Sequence, residues 1–324
     1  MSSLVYKTES EATLQALCRR SLNDEATGFR LLSGGMFNTT YVVDTRKNGT
    51  VVLRLGAVNR HLLMPFEQHL MEAEAEVYRK CREAGIPVQD VLALDLSRTV
   101  VDRDYMIVRY LEGIPMSEAD LDPDSYQSIC ATIGAEVAKL HSLSANRFGR
   151  IADVLHGAGY ETWREAMEGE LSDWETVGVP ARVLEPEDLR RVHRAFEAIG
   201  PMLDEIRTPS LVHNDLWKGN MLISKTDGTW RLRAILDADR AIYADPDLEF
   251  SGCRIIHDEP AFRAAYGRVL SESHEARLRR GLYHLITRMW HAYVFQNEYL
   301  MDPQYHETVR IIRRQLDDLE KNLE

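Results

Sequence analysis

Between residues 30 and 55 the apolar positions recur at every second residue, the period of a strand with one face buried. Residues 30–33 lead into the loop Gly34-Gly35-Met36-Phe37-Asn38, and Thr39-Thr40-Tyr41-Val42-Val43-Asp44 resumes the alternation. Lys47-Asn48-Gly49-Thr50 carries an Asn-Gly pair, whose tolerance of positive φ makes it a strong hairpin signal. Val51-Val52-Leu53-Arg54-Leu55 then runs back, so the pattern predicts an antiparallel sheet opening on a glycine loop.

From 66 to 84 the period changes. Leu70, Ala73, Val77, Cys81 and Ala84 recur at three or four residues, one face of a helix that Gly85 and Pro87 terminate. Two more strands are predicted over 88–94 and 105–111, followed by a turn over 112–115. Beyond it the stripes Ile129, Ile133, Val137, Leu140 and Leu282, Leu285, Ile286, Met289, Tyr293, Val294 predict helices, with a β-like stretch over 211–236 between them. The expected fold class is α+β in two lobes. A small antiparallel-sheet lobe with one helix spans 1–111, and a larger, mostly helical lobe spans 112–324.

A chain of 324 residues can bury two such cores. No run of about 18 apolar residues occurs, which excludes a membrane-spanning helix. The first residues lack the basic start and apolar core of a secretory signal. Cys18, Cys81, Cys130 and Cys253 lie far apart, with neither zinc nor disulfide-framework spacing, and read as reduced thiols of a cytoplasmic protein. Lys and Arg number 39 against 51 Asp and Glu, a net charge of −12. That balance argues against nucleic acid, which attracts basic surface, and suits a cationic small molecule. The sequence sets no oligomeric state.

The chemistry concentrates in Leu211-Val212-His213-Asn214-Asp215-Leu216-Trp217-Lys218-Gly219-Asn220. An apolar strand ends in His-x-Asp, an Asn follows the Asp by five residues, and Ala234-Ile235-Leu236-Asp237 ends a second apolar run in an acid. Phosphoryl transfer asks little covalent chemistry of a protein; it needs an acceptor oxygen held in line and metal ions that neutralise the phosphates. One Asp can take the hydroxyl proton, while an Asn and a second Asp are oxygen ligands suited to Mg²⁺.

At these residues the chain resembles the aminoglycoside phosphotransferase / choline kinase-like family, relatives of eukaryotic protein kinases. The likeness extends over most of the chain. Residues 32–41 resemble the family's first hairpin, and Glu74-Ala75-Glu76-Val77 leading to Gly85-Ile86-Pro87-Val88 resembles its helix C. Ala244-Asp245-Pro246-Asp247-Leu248-Glu249-Phe250 is similar to its Gly-Asp-Pro-x-x-Asp-Leu stretch. The resemblance implies a bilobal protein-kinase-like fold and the γ-phosphate of ATP, or GTP, passing with Mg²⁺ to a small-molecule hydroxyl. Asp215 would be the catalytic base, with Asn220 and Asp237 the metal ligands. Gly34, Gly35 and Asn38 would lie over the phosphates, Glu74 would pair with the basic residue Arg54, and Tyr110 and Leu111 would meet the nucleotide base.

Several positions depart from the family pattern. Arg54 stands where protein kinases carry Lys, and the nearest Lys, Lys47, precedes the turn. Asn214 and Ala244 replace Gly, and Glu249 stands where Asp is commoner. The plain readings of other polar residues are a satisfied, loop-holding His213, a surface Asp239 and an N-capping Asp245. Residues 161–175 hold six acids and two tryptophans; they read first as a solvated helix with Trp163 and Trp174 anchored in the core, and second as a wall for a cationic substrate. The stripe Trp290, Tyr293, Phe295, Tyr299 reads as core. An antibiotic is the first acceptor class expected. A primary metabolite such as choline, homoserine or a sugar is the alternative, and a catalytically silent pseudokinase a third reading.

Overall fold

The computed structural model describes residues 3–32, 35–251 and 257–324. The chain opens with α1 (Glu11–Leu22), β1 (Ala26–Leu31), β2 (Thr39–Thr45), β3 (Gly49–Leu55), α2 (Leu70–Glu83), β4 (Val91–Asp95) and β5 (Tyr105–Arg109). It continues with β6 (Ile114–Pro115), α3 (Pro123–Ser142), β7 (Gly149–Arg150), α4 (Ile151–Leu155), α5 (Trp163–Gly178), α6 (Pro186–Leu203) and β8 (Ser210–Val212). The last elements are β9 (Met221–Thr226), β10 (Thr229–Ile235), β11 (Ile242–Ala244), α7 (Pro260–Tyr266), α8 (His274–Tyr293) and α9 (Asp302–Leu323). The class is α+β, as the periodicity predicts.

The first five strands form one antiparallel sheet in the order β1-β2-β3-β5-β4. Alternation in β3 decides which side each residue serves. Val51, Leu53 and Leu55 join Leu14, Leu17 and Cys18 of α1 in one core. Val52 joins Met71, Ala73 and Val77 of α2 in another. Arg54, two residues on from Val52, therefore points toward α2. Within α2 the buried positions Leu70, Glu74 and Tyr78 form an i, i+4 row, so one helix edge presents a carboxylate and a phenol. Gly85, at φ +71, follows that helix where the sequence predicts its end.

The catalytic-loop candidates sit between short strands. A three-stranded sheet orders β7-β11-β8, and a second orders β10-β9-β6, their strands interleaved along the chain. The two-residue strands β6 and β7, and the three residues of β11, are too short to show a period in sequence. α1, α6 and α9 were likewise not anticipated as separate elements. A large core gathers α5, α6, α8 and α9 around Trp163, Trp174, Ile199, Leu282 and Ile312.

The acidic α5 follows its plain reading, with both indoles buried and paired. Trp163 Nε1 donates to Tyr283 Oη at 2.8 Å, and Trp174 Nε1 donates to the Met289 carbonyl at 2.8 Å. One edge of it is not solvated: Glu170 is buried in a two-pronged pair with Arg150, at 2.7 and 2.6 Å. Of the stripe near 290, Trp290 and Tyr293 are core. No helix among the described residues is long and apolar enough to cross a membrane.

Candidate active site

β8 delivers His213, and hydrogen bonds hold the loop after it, with Leu216 packed into a core. His213 Nε2 donates to the Leu236 carbonyl at 2.9 Å, while Nδ1 accepts from the Asp215 N–H at 3.3 Å. In these contacts one ring nitrogen donates and the other accepts, so the ring ties the loop to the turn before Asp237. Asn214 adopts φ +64, a left-handed conformation that Asn tolerates better than most residues.

Glu249 closes the loop from behind. Its Oε2 accepts from the His213 N–H at 2.7 Å and its Oε1 from the Asn214 N–H at 2.9 Å. His141 of α3 reaches the same carboxylate through Nε2 at 3.3 Å, with its Nδ1 against Tyr266 Oη at 2.7 Å. The longer Glu in place of Asp thus still grips the loop. Glu249→Ala is expected to lower stability by about 3 kcal/mol or more, because two buried N–H groups and His141 lose their acceptor. Denaturant unfolding of the two proteins measures it.

Asp215 and Asn220 meet directly. Asn220 Nδ2 donates to the Asp215 carbonyl at 2.9 Å and to Asp215 Oδ2 at 3.0 Å, which leaves the amide oxygen outside these bonds. The Asn220 carbonyl accepts from the Leu236 N–H at 2.8 Å, tying this loop to the turn that carries Asp237. Asp237 stands at φ +61, and its N–H donates to Tyr78 Oη at 3.0 Å. Burial raises the Asp215 carboxyl above its ordinary range, and the Arg240 guanidinium opposes that rise.

Arg54 is the hub. Its two terminal nitrogens bond Glu74 Oε1 and Asp237 Oδ1, one on each. Arg54 is 7% exposed and Glu74 fully buried, so the pair is desolvated and each needs the other. Burial raises the Glu74 carboxyl and Arg54 opposes it. Lys47, the other basic residue considered, lies elsewhere: its Nζ donates to the Asn23 carbonyl at 3.0 Å.

Asp239 is a correction. Expected at the surface, it is buried, and the short turn Ala238–Arg240 folds it back beside Asp237. Oxygens of Glu74, Asp237 and Asp239 all lie within 4.8 Å of one another. Burial, then Asp237 and Glu74, push the Asp239 carboxyl well above its ordinary range. Three crowded carboxylates, two of them bonded by one guanidinium, supply hard oxygen donors of the kind Mg²⁺ takes. Asp245 caps as expected, its Oδ1 accepting from the Asp247 N–H at 3.1 Å, but it is also buried under Tyr283 Oη at 2.9 Å.

The glycine loop comes down on this cluster. Asn38 Nδ2 reaches Asp239 Oδ2 at 3.5 Å. A Cβ on Gly35 would sit 2.8 Å from the Asn38 carbonyl, so the loop's tight return demands glycine there. Gly34 lies outside the described residues, as does Cys253. Tyr110 and Leu111 follow β5 on the way to β6, with Tyr110 exposed and Leu111 half-buried. Sequence reasoning passed over Tyr78 and Arg240. Tyr78 looked like one more apolar position of α2, while Arg240 follows the Asp-x-Asp directly and could have been flagged there.

No curated protein sequence is significantly similar to the chain. Solved structures are. A thermostable mutant of aminoglycoside phosphotransferase APH(4)-Ia, in ternary complex with AMP-PNP and hygromycin B, aligns with a TM-score of 0.62 at 16% identity, over 96% of this chain and 98% of that one. The GDP and kanamycin complex of APH(2")-IIia gives 0.65 at 13%, over 95% and 99%. A putative fructosamine-3-kinase from Thermobifida fusca gives 0.64 at 18%, over 94% and 100%. At these identities the likeness is one of fold, the bilobal kinase-like architecture. The model of the phosphotransferase enzyme family matches residues 28–281, a span that contains every candidate residue above. The chain belongs to the phosphotransferase enzyme family.

Proposed function

We propose that the chain is a cytoplasmic kinase that moves the γ-phosphoryl group of ATP, or GTP, to a hydroxyl of an amine-bearing small molecule, with an antibiotic as the first acceptor class. What supports this reading is that Asn220 bonds the Asp215 carboxylate while its carbonyl holds Leu236, the residue before Asp237, which Arg54 ties to Glu74. Asp215 orients the acceptor hydroxyl and takes its proton as the new oxygen–phosphorus bond forms and the bond to the departing nucleoside diphosphate breaks. Asn220 and Asp237, helped by Asp239, hold Mg²⁺, which supplies charge neutralisation at the phosphates. Gly35 and Asn38 cover the phosphates; Tyr110 and Leu111 lie by the base. Residues 1–111 form the nucleotide lobe and 112–324 the catalytic and acceptor lobe.

Acidity supports an amine-bearing acceptor. Asp153, Glu170 and Asp173 gather around Arg150, and burial, then Glu170 and Asp153, push the Asp173 carboxyl up to about 6. Arg150 Nη1 donates to the Arg240 carbonyl at 3.1 Å, so this acidic patch adjoins the reacting end of the cleft. A primary-metabolite kinase is the second reading, favoured by the fructosamine-3-kinase likeness, which spans 94% of the chain against 96% for APH(4)-Ia.

The test is an acceptor panel with Mg·ATP: hygromycin B, kanamycin, streptomycin, a fructosamine, choline and homoserine. One compound is expected to gain about 80 daltons, the mass of a phosphoryl group. If Mg·ATP binds and no member of a wide alcohol panel gains mass, the kinase reading gives way to a silent binding module.

A further inference from the structure

We propose that Glu67 and Glu298 form a hydrogen-bonded carboxyl pair that positions Arg240 beside Asp215, so that the turn ending α8 takes part in phosphoryl transfer. This rests on the function proposed above. The two acids come from distant segments: Glu67 from the short turn Pro65–His69 that precedes α2, Glu298 from the wide π-turn Val294–Glu298 that follows α8. Glu67 is 3% exposed and Glu298 0%. Glu67 Oε2 accepts from the Met64 N–H at 3.1 Å. Glu67 Oε1 and both Glu298 oxygens receive no hydrogen-bond donor.

Two ionised carboxylates buried together would repel and leave three oxygens unsatisfied. A proton held between them supplies the missing donor and leaves the pair with one negative charge. Burial first, then Glu67, push the Glu298 carboxyl up to about 10, which keeps that proton in place at neutral pH. The remaining charge faces Arg240, whose Nη2 lies 3.6 Å from Glu67 Oε1. Tyr293 and Tyr299 border the pair, and Tyr299 and Asp239 face Arg240; Arg240 is the cation that opposes the rise at Glu298.

Arg240 is anchored to the catalytic loop at its other end. Its carbonyl accepts from Asn214 Nδ2 at 3.3 Å and from Arg150 Nη1 at 3.1 Å. Its guanidinium is the strongest cationic influence on Asp215. A guanidinium between Asp215 and a singly charged acid pair is held from both sides. The π-turn explains how α8 reaches this place: one residue of extra winding turns the following side chains by about 100°, and such turns recur at functional sites.

Acceptor-independent hydrolysis of Mg·ATP, read as released inorganic phosphate, tests the pair without knowledge of the acceptor. Glu298→Gln keeps the charge and the shared hydrogen bond, so kcat is expected to fall only about twofold. The double variant Glu67→Gln/Glu298→Gln keeps the shape but removes the charge; kcat is expected to fall about 10- to 100-fold with KM for ATP within about twofold. Arg240→Gln is expected to match that loss, and adding it to the double variant to deepen it no further, the sign of groups acting through one another. A double variant with wild-type kcat, or losses that multiply, overturns the proposal. Should the double variant not fold, Glu67→Asp withdraws the charge from Arg240 by one methylene, and an unchanged kcat there overturns it equally. Hydrolysis abolished by Asp215→Asn but untouched by the Gln pair would sink this inference alone; a wild type that neither hydrolyses Mg·ATP nor phosphorylates any alcohol of the panel would sink the kinase reading with it.

Discussion

Asp215→Asn is expected to lower the phosphotransfer rate by roughly 10²- to 10⁴-fold while Mg·ATP binding stays nearly intact. Asn has the same shape as Asp and can still accept from Asn220 Nδ2, the bond that fixes the side chain at 3.0 Å, so the loop need not move. What it cannot do is take a proton. His213 is spent as a loop holder, and Asn220 and Asp237 are the metal ligands of the proposed function. Because burial raises the Asp215 carboxyl, the acid limb of the wild-type rate profile is expected above the ordinary carboxylate range near about 3.9. Activity falls as pH drops through that raised value, since the protonated acid no longer accepts. Steady-state kinetics over pH, with nucleotide titration of both proteins, gives the measurement; equal rates would remove Asp215 from its role.

Much of this was readable because strong periods survive in the sequence. β2, β3 and α2 show alternation and a three-four spacing, and the Asn48-Gly49 turn lies between the two strands. Glu74 and Arg54 meet because one follows from the strand period and the other from the helix row, so both were available as candidates. Burial of Asp239 was not available. It depends on a single tight turn, Ala238–Arg240, which carries no period and looks like any polar loop. Tyr78 was hidden for the opposite reason, an aromatic residue on an apolar face being read as packing, although its hydroxyl accepts from Asp237. Glu67 and Glu298 are 231 residues apart in sequence by their numbers, and only the π-turn brings them together. The short strands around the catalytic loop exist because tertiary pairing imposes them, with too few residues for a pattern of their own.

Arg54→Ala is expected to cost about 3–5 kcal/mol of folding stability in EDTA, the usual penalty for stripping one partner from a buried ion pair. Arg54 carries both Glu74, which has no exposed surface, and Asp237, and Asp239 is crowded against them. Without the guanidinium, three carboxylates within 4.8 Å lose the cation that bonds two of them, and Arg240 is left to oppose the charge at Asp239. The pH dependence follows with a definite sign. Burial already raises Glu74, and Arg54 is the largest influence holding it down. In the variant its folded-state value rises further, so the folded protein binds more protons than the unfolded chain above the ordinary carboxylate range. Stability is then fullest at low pH and is lost as pH rises through the raised value. The deficit against wild type is therefore larger at about pH 8.5 than at about pH 5.5. A divalent cation can replace the lost charge. Millimolar MgCl₂ is expected to restore part of the melting temperature in the variant and to do so by more than it raises the wild type, whose Asp237 is already engaged by Arg54. Lys at this position would recover less than Arg, because an ammonium cannot reach two carboxylates in the forked geometry. Melting curves at both pH values, with and without Mg²⁺, separate the two roles of the cluster. Equal Mg²⁺ shifts in variant and wild type would mean that Glu74, Asp237 and Asp239 are an ion-pair network around Arg54 and nothing more.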